Sequence, residues 1–133
     1  MNAVELRKKF DLDLKKGLAI EALCLDILSN KTVEVKNERL ASDTKHVAVE
    51  FKSFGKPSGI AVTEADYWCF VLGGDFKDNC IIFIDTKALV KIARFYYNKG
   101  SITKGGDSMQ SEMVLVPLIA LTNTMHYREG LTQ

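Results

Sequence analysis

Acidic and basic side chains alternate along two short stretches of this sequence, VEVKNE at 33–38 and HVAVEFKS at 46–53. If both stretches are β-strands, side chains two residues apart lie on the same face. The charged residues that share a face are then Glu34, Lys36 and Glu38 on the first strand, and Glu50 and Lys52 on the second. Mg²⁺ binds carboxylates together with the phosphate oxygens of a substrate, and a nearby lysine stabilises charge that develops on a phosphate. The pattern is therefore compatible with metal-assisted chemistry on a phosphodiester, although alternating Glu and Lys alone would favour a polar face in water.

The two strands must lie side by side for their charged residues to meet. A short polar connection joins them, and consecutive strands with a short link usually pair antiparallel. We expect this hairpin to turn the valines of VEVKNE toward the core and its charged face toward water, with Glu38 and Glu50 as metal ligands. Glu21 is a third candidate acid because it follows Gly17 by one helical turn, where a helix without a side chain can approach a neighbour closely. The alternative for Glu21 is an ordinary solvated glutamate.

Hydrophobic periodicity and turn residues predict the order α-β-β-α-β-α-β, which is typical of an α/β or α+β fold with a mixed sheet flanked by helices. The predicted elements are a helix at 14–28, strands at 32–38 and 46–54, a helix at 63–72, a strand at 80–84, a helix at 86–98 and a strand at 113–118. We expect the apolar strand at 80–84 to be central, covered on both faces. The strand that contains Pro117 should lie at an edge or end there. Residues 73–79 and 101–112 are predicted loops.

Length and composition indicate one globular domain over residues 1–133, with flexible ends at 1–12 and 124–133. The net charge is +1 at pH 7, so only a local patch of charge would attract a polyanion. The charged N-terminus is unlike a signal peptide, and no apolar run approaches the roughly 20 residues that span a bilayer. The three cysteines have no metal-binding spacing, and we expect them to be buried, reduced thiols of a cytoplasmic protein without membrane contact.

A longer pattern surrounds the two strands. Its residues are Gly17 and Glu21, the run Glu34 to Glu38, the run Thr44 to His46, Glu50, GKPSGI at 55–60, and Thr63, Ala65, Asp66 and Trp68. In order and spacing, residues 14–72 resemble the PD-(D/E)XK nuclease superfamily, and most closely its small phage-encoded members that are similar to Holliday-junction resolvases. The resemblance implies a restriction-endonuclease-like core, α-β-β-β-α-β, and a Mg²⁺- or Mn²⁺-dependent DNA endonuclease acting in a phage-infected or bacterial cytoplasm.

The family pattern implies roles for the acids. It makes Glu38 and Glu50 the metal ligands, with Glu21 as an outer or third ligand. The pattern has Asp where this sequence has Glu38, and the additional methylene puts the position of the metal, and full activity, in doubt.

Two lysines compete for the catalytic role, and we favour Lys52, with Lys36 nearby. Lys52 fits the E-x-K of the superfamily, whereas Lys36 matches the phage subgroup, and either is placed to stabilise the attacking hydroxide or the transition state. Glu34 is a spare ligand or a salt-bridge partner. Lys45 and His46 replace a Gly-Asn pair of the family pattern, which leaves the turn before the second strand open.

A nuclease must also neutralise phosphates near its site. The residues predicted to contact DNA around the metal are Lys45, His46, Lys56, Ser58 and Gly59. A second basic group comprises Arg7, Lys8, Lys9, Lys15 and Lys16. These residues either contact DNA or belong to a solvated terminus, and the sequence favours neither alternative. A nuclease of this size that cuts both strands would act as a symmetric homodimer. The predicted helix at 63–72 is a candidate interface, with simple core packing as the alternative.

Two other functions are compatible with these residues. The first is a non-catalytic nucleic-acid-binding or assembly module on the same fold, favoured by Glu38 in the place of Asp. The second is an inert polar hairpin face whose opposite charges pair across the strands. Cleavage assays with different metals distinguish the enzyme from the binding module.

Overall fold

The computed structural model describes residues 1–73 and 80–122, which form two compact units, Met1–Thr32 and Val33–Gln133. The predicted flexible tail at 124–133, and all but the first residue of the predicted loop at 73–79, lie outside the described residues.

The first unit is one helix, α1, that spans Ala3–Asn30. Asn2 and Glu5 form a reciprocal capping box, in which each side chain accepts a hydrogen bond from the other residue's backbone N–H at 2.9–3.0 Å. Because of this cap, α1 begins well before the predicted start at residue 14 and includes most of the stretch 1–12 that was predicted to be flexible. None of its residues is buried. No helix in the described ranges is long and apolar enough to cross a membrane.

The second unit contains seven strands and three further helices among its described residues. The strands are β1 (Val33–Glu38), β2 (His46–Ser53), β3 (Lys56–Pro57), β4 (Tyr67–Leu72), β5 (Cys80–Asp85), β6 (Ile102–Gly105) and β7 (Ser111–Pro117). The helices are α2 (Ala41–Thr44), α3 (Thr86–Asn98) and α4 (Leu118–Thr122), and 3₁₀ turns span Gly59–Ala61 and Asp107–Met109.

The strands form two sheets, which makes the fold mixed α/β as expected. One sheet has the order β1-β4-β5, and the other has the order β3-β2-β7-β6. The predicted β1–β2 hairpin is wrong, since β1 pairs parallel with β4 and β2 pairs antiparallel with β7. α2 separates the two strands and sends the chain from one sheet to the other.

The segment Tyr67–Leu72 is strand β4, and its prediction as part of a helix is wrong. The Thr63 hydroxyl accepts the backbone N–H of Ala65 at 3.2 Å, which forms a local turn instead of a helix cap. The aromatic and β-branched run that follows has a high strand propensity. Trp68 and Phe70 are almost completely buried, so the core-packing alternative for this segment is confirmed and the interface role is not.

The core lies between the two sheets and α3. Its largest fully buried side chains are Trp68, Phe70, Leu89, Ile92, Val47, Val49, Val114 and Val116. The helix at 86–98 is confirmed as α3. Asp85 caps it by accepting the backbone N–H groups of Lys87 and Ala88 at 2.8 and 3.3 Å.

Other predictions were confirmed only in part. β5 is a strand as predicted, but it lies at a sheet edge, with Ile81 and Phe83 exposed. β7 ends at Pro117 as predicted but is an inner strand, and the predicted loop at 101–112 contains β6. All three cysteines are free, but only Cys69 is buried.

Candidate functional site

The charged strip of β1 faces inward, against expectation. In the parallel register with β4, Glu34, Lys36 and Glu38 lie opposite Trp68, Phe70 and Leu72, three of the four buried residues of that strand. Paired residues of neighbouring strands point to the same face, so the strip lies on the core side of the sheet, at its edge. Val35, predicted to face the core, is instead 63% exposed. The predicted alternation of charged and apolar residues along β1 is correct, but the charged residues face the core and Val35 faces outward, because β1 pairs with β4 and not with β2.

Lys36 is held from two sides. Its Nζ forms an ion pair with Glu34 Oε1 at 3.1 Å and lies 5.5 Å from the centroid of the Trp68 ring. Glu34 is therefore a salt-bridge partner, one of its two predicted roles. The Trp68 Nε1 is buried and has no hydrogen-bond partner among the described residues. Contacts with a carboxylate and an aromatic face fix the ammonium on the strip, two residues from Glu38.

Glu38 reaches from the end of β1 to the second sheet. Its carboxylate interacts with the backbone N–H of Ala48 on β2, and burial raises its pKa, which that hydrogen bond and Lys36 lower only partly. Ala48 comes two residues before Glu50 on β2, a step of about 7 Å along a strand. Glu38 also lines a cavity of about 350 Å³ with Asn37, Arg39 and Leu40. Glu38 thus lies at the edge of β2, two residues along that strand from Glu50, but the Glu50 side chain lies on the face opposite the buried Val49.

A β-bulge separates Glu50 from Lys52. Glu50 lies opposite Met113 of β7, but Lys52 lies opposite Glu112, so Phe51 is an extra residue in the ladder. Met113 and Glu112 are neighbours that point to opposite faces, and the same must hold for Glu50 and Lys52. The predicted shared face is therefore wrong. The Lys52 Nζ instead lies 4.0 Å from Glu112 Oε2.

The GKPSGI segment packs directly against the Glu50 backbone. Gly59 has φ +52, and a Cβ there would lie 2.9 Å from the Glu50 carbonyl carbon and closer still to its oxygen. Only glycine fits so close to the Glu50 backbone. Packing therefore explains the glycine at this position, in addition to its predicted contact with DNA. The Ser58 N–H donates to the Phe51 carbonyl at 3.0 Å, across the bulge. This segment thereby sets the position of Glu50.

The predicted DNA contacts near the strand ends have different surroundings. The Ser58 hydroxyl is buried without a hydrogen-bond partner among the described residues, so it does not face solvent. Lys56 is exposed on the two-residue strand β3. Lys45 has φ +59 at the end of α2, a conformation that suits the glycine of the family pattern. The His46 Nδ1 lies 2.6 Å from the Thr44 carbonyl oxygen, so Nδ1 is the donor in this hydrogen bond.

The donor set fits a hard cation. Glu38 and Glu50 offer only oxygen ligands, and neither forms an ion pair with a described residue. Burial makes the charged form of the Glu38 carboxylate less stable, and a divalent ion bound nearby would stabilise that charge. In the described part of the chain, no group of three or more acids, histidines or cysteines is close enough to hold a metal. Glu21 is exposed on α1, and its role as a ligand stays a prediction.

Sequence reasoning missed several partners in this region. Ala48 contributes only a backbone N–H, which no side-chain pattern reveals. Glu112 is distant in sequence from Lys52 and meets it through the β2–β7 register. The site is thus defined within a mixed α/β fold with one mixed and one antiparallel sheet. None of the known family models matches this chain, and neither a curated protein nor a solved structure matches it significantly.

Proposed function

We propose that this chain is a metal-dependent deoxyribonuclease that hydrolyses DNA phosphodiester bonds with Mg²⁺ or Mn²⁺. The observation that carries the proposal is the half-buried Glu38 carboxylate, which accepts the Ala48 N–H of β2 two residues along that strand from Glu50. A carboxylate that only adds stability would be exposed or paired with a cation. A carboxylate kept half-buried without an ion pair to a described residue is suited to a divalent ion. The resemblance of residues 14–72 to PD-(D/E)XK nucleases points to the same chemistry.

The proposed roles follow from the positions of the side chains. Glu38 and Glu50 would hold the cation, which when bound neutralises charge on the scissile phosphate. Lys36 is the better candidate for the catalytic lysine, because it shares a face with Glu38 and two contacts fix its ammonium. It would donate a hydrogen bond to a phosphate oxygen and stabilise charge that increases in the transition state. Lys52 faces Glu112 and would contact the DNA backbone outside the reacting centre.

The first test is a cleavage assay on supercoiled, linear, single-stranded and four-way DNA, with Mg²⁺, Mn²⁺ or EDTA. We expect cleavage with either metal and none with EDTA. Glu38→Gln and Glu50→Gln preserve shape but remove the ligand charge, and each should lower the rate at least about 100-fold. Glu64→Gln is the matched control, since Glu64 is exposed and outside the site. Cleavage that persists in Glu50→Gln at the wild-type rate would overturn the proposal.

The same assay separates the two lysines. We expect Lys36→Met to lower the rate about 100- to 1,000-fold, the usual loss for a donor that stabilises transition-state charge. Lys52→Met should lower it less than about tenfold, through weaker DNA binding alone. The reverse order would assign the catalytic role to Lys52 and would mean that the bulge at Phe51 rearranges when DNA binds.

A second candidate function is a nucleic-acid-binding module without catalysis. The bulge favours it, because it removes Lys52 from the face of Glu50 and so breaks the E-x-K geometry. Binding to DNA without cleavage in any metal would support this function. In either case we propose that the chain adopts a restriction-endonuclease-like core, acts in the cytoplasm and functions as a homodimer, which sedimentation of the chain with and without DNA would test.

A further inference from the structure

The turn between β2 and β3 carries an exposed aromatic side chain in an unfavourable backbone conformation. Ser53 pairs with Lys56, so Phe54 and Gly55 form a two-residue hairpin loop. Their φ angles are +49 and +77, as a type I′ turn requires. Asn or Gly is preferred at the first position of such a turn, and a bulky aromatic residue there costs of the order of 1 kcal/mol or more. Phe54 is 69% exposed, so burial in the core does not offset this cost.

A hydrogen bond fixes this hairpin loop, Phe54 and Gly55, called the tip below, in spite of the conformational cost. The Phe54 N–H donates to the Gln110 carbonyl at 3.0 Å, which ties the hairpin to the loop before β7. In that loop Ser108 and Met109 also have positive φ angles, and Met109 is 60% exposed. Two neighbouring loops therefore present apolar side chains to solvent on constrained backbones.

Lysines lie on both faces of the sheet near the β2–β3 hairpin loop. Glu112 of β7 pairs with Lys52 on the neighbouring strand β2 and with Lys104 on the other neighbour, β6. Lys56 of β3 pairs with Ser53 of β2. Lys56 and Lys104 are exposed. This end of the sheet carries three lysines and two acids, Glu112 and Asp107, so its net charge is slightly positive. An exposed aromatic ring among lysines is the combination that binds the bases and the phosphates of a nucleic-acid strand.

We propose that Phe54 is a stacking site for an unpaired nucleobase, with Lys56 contacting an adjacent phosphate. The proposal rests on the nucleic-acid-binding part of the proposed function and names the ligand of this surface. A base inside a duplex is already stacked on both sides, so the ring gains contact only with an unpaired base. Phe54 lies four residues from Glu50, at most about 13 Å along the strand, so a base on the ring would lie within a few nucleotides of that acid.

The test is the affinity of the full chain for a single-stranded DNA oligonucleotide and for the duplex of the same sequence, measured in EDTA so that no cleavage occurs. Phe54→Asn introduces a residue that the turn prefers, so the variant should be at least as stable as the wild type. We expect it to bind the single strand about 5- to 150-fold more weakly, the loss of one aromatic stack, and the duplex with unchanged affinity. Ile119→Asn is the matched control, since Ile119 is 68% exposed on α4.

Phe54→Trp supplies a direct signal. Trp68 is the only tryptophan and is buried, so a new indole at the tip reports on its own surroundings after subtraction of the wild-type signal. We expect the single strand to quench its fluorescence and the duplex to leave it unchanged. Equal quenching by both, or equal affinity of Phe54→Asn and the wild type for the single strand, would overturn the proposal.

Two further outcomes are assigned in advance. If Phe54→Asn changes self-association in sedimentation and leaves DNA binding unchanged, the tip contacts a second copy of the chain and the stacking proposal is wrong. Cleavage activity is measured separately with Mg²⁺. A wild-type chain that cuts DNA while Phe54→Asn binds normally refutes only the stacking site, and stacking without cleavage in any metal refutes only the nuclease.

Discussion

Substitution of Gly59 by alanine tests the contact that positions Glu50. The left-handed backbone, with φ +52, costs an alanine about 1–2 kcal/mol. The added Cβ would also lie 2.9 Å from the Glu50 carbonyl carbon, and relief of such overpacking costs about 1–3 kcal/mol. The lower entropy of an unfolded chain with alanine returns about 0.4–1 kcal/mol. We therefore expect Gly59→Ala to lose about 1–5 kcal/mol of unfolding free energy, with about 3 kcal/mol at the centre of that range, or about 3–5 °C in Tm per kcal/mol for a chain of this size.

The assay is urea unfolding followed by the fluorescence of Trp68, which is 1% exposed and reports directly on the core. Gly100→Ala is the matched control, because Gly100 has φ +80 but a Cβ there would meet nothing within 4 Å among the described residues. It should lose only the backbone cost, about 1 kcal/mol after the entropy gain. Equal losses in the two variants would refute the close contact between Gly59 and Glu50. If the contact exists, DNA cleavage by Gly59→Ala should also fall under conditions where the chain stays folded.

Substitutions at three further positions test other parts of the structure. Glu38→Gln should raise stability at neutral pH while it lowers cleavage. Because burial raises the pKa of Glu38, the folded state favours the protonated carboxyl. The stability that the protonated carboxyl contributes is fully present below the ordinary pKa of 4.5 and is lost as the pH rises through the raised folded-state pKa. Urea unfolding from pH 4 to 7 should therefore show the advantage of the variant increase with pH, and a constant difference would contradict the burial of this carboxyl. Lys45→Gly should leave the chain as stable or up to about 1 kcal/mol more stable, because Lys45 has φ +59, whereas Lys45→Val should destabilise it by about 1–2 kcal/mol. Asp85→Ala should cost about 1 kcal/mol in urea unfolding through loss of the α3 cap, and Asp85→Asn should retain most of that stability.

Local patterns predicted the segments whose own residues determine their structure. The helix Thr86–Asn98 followed from its apolar periodicity, and strands β1 and β2 followed from alternation along the chain. Failure occurred where two local patterns fit equally well. The run YWCFVL is apolar enough for a buried helix or a buried strand, and only its pairing with β1 and β5 made it a strand.

The candidate site shows the same division. The sequence by itself determined which acids and lysines alternate on each strand, because a period of two is a property of the backbone. Tertiary structure decided the face to which each set points, since that depends on the partner strand and on a single extra residue, Phe51, in the β2 ladder. It also decided that Glu38 meets β2 through the Ala48 N–H, because a backbone donor has no signature in residue type. Pairing between distant segments, which no local preference encodes, therefore determined the geometry of the site.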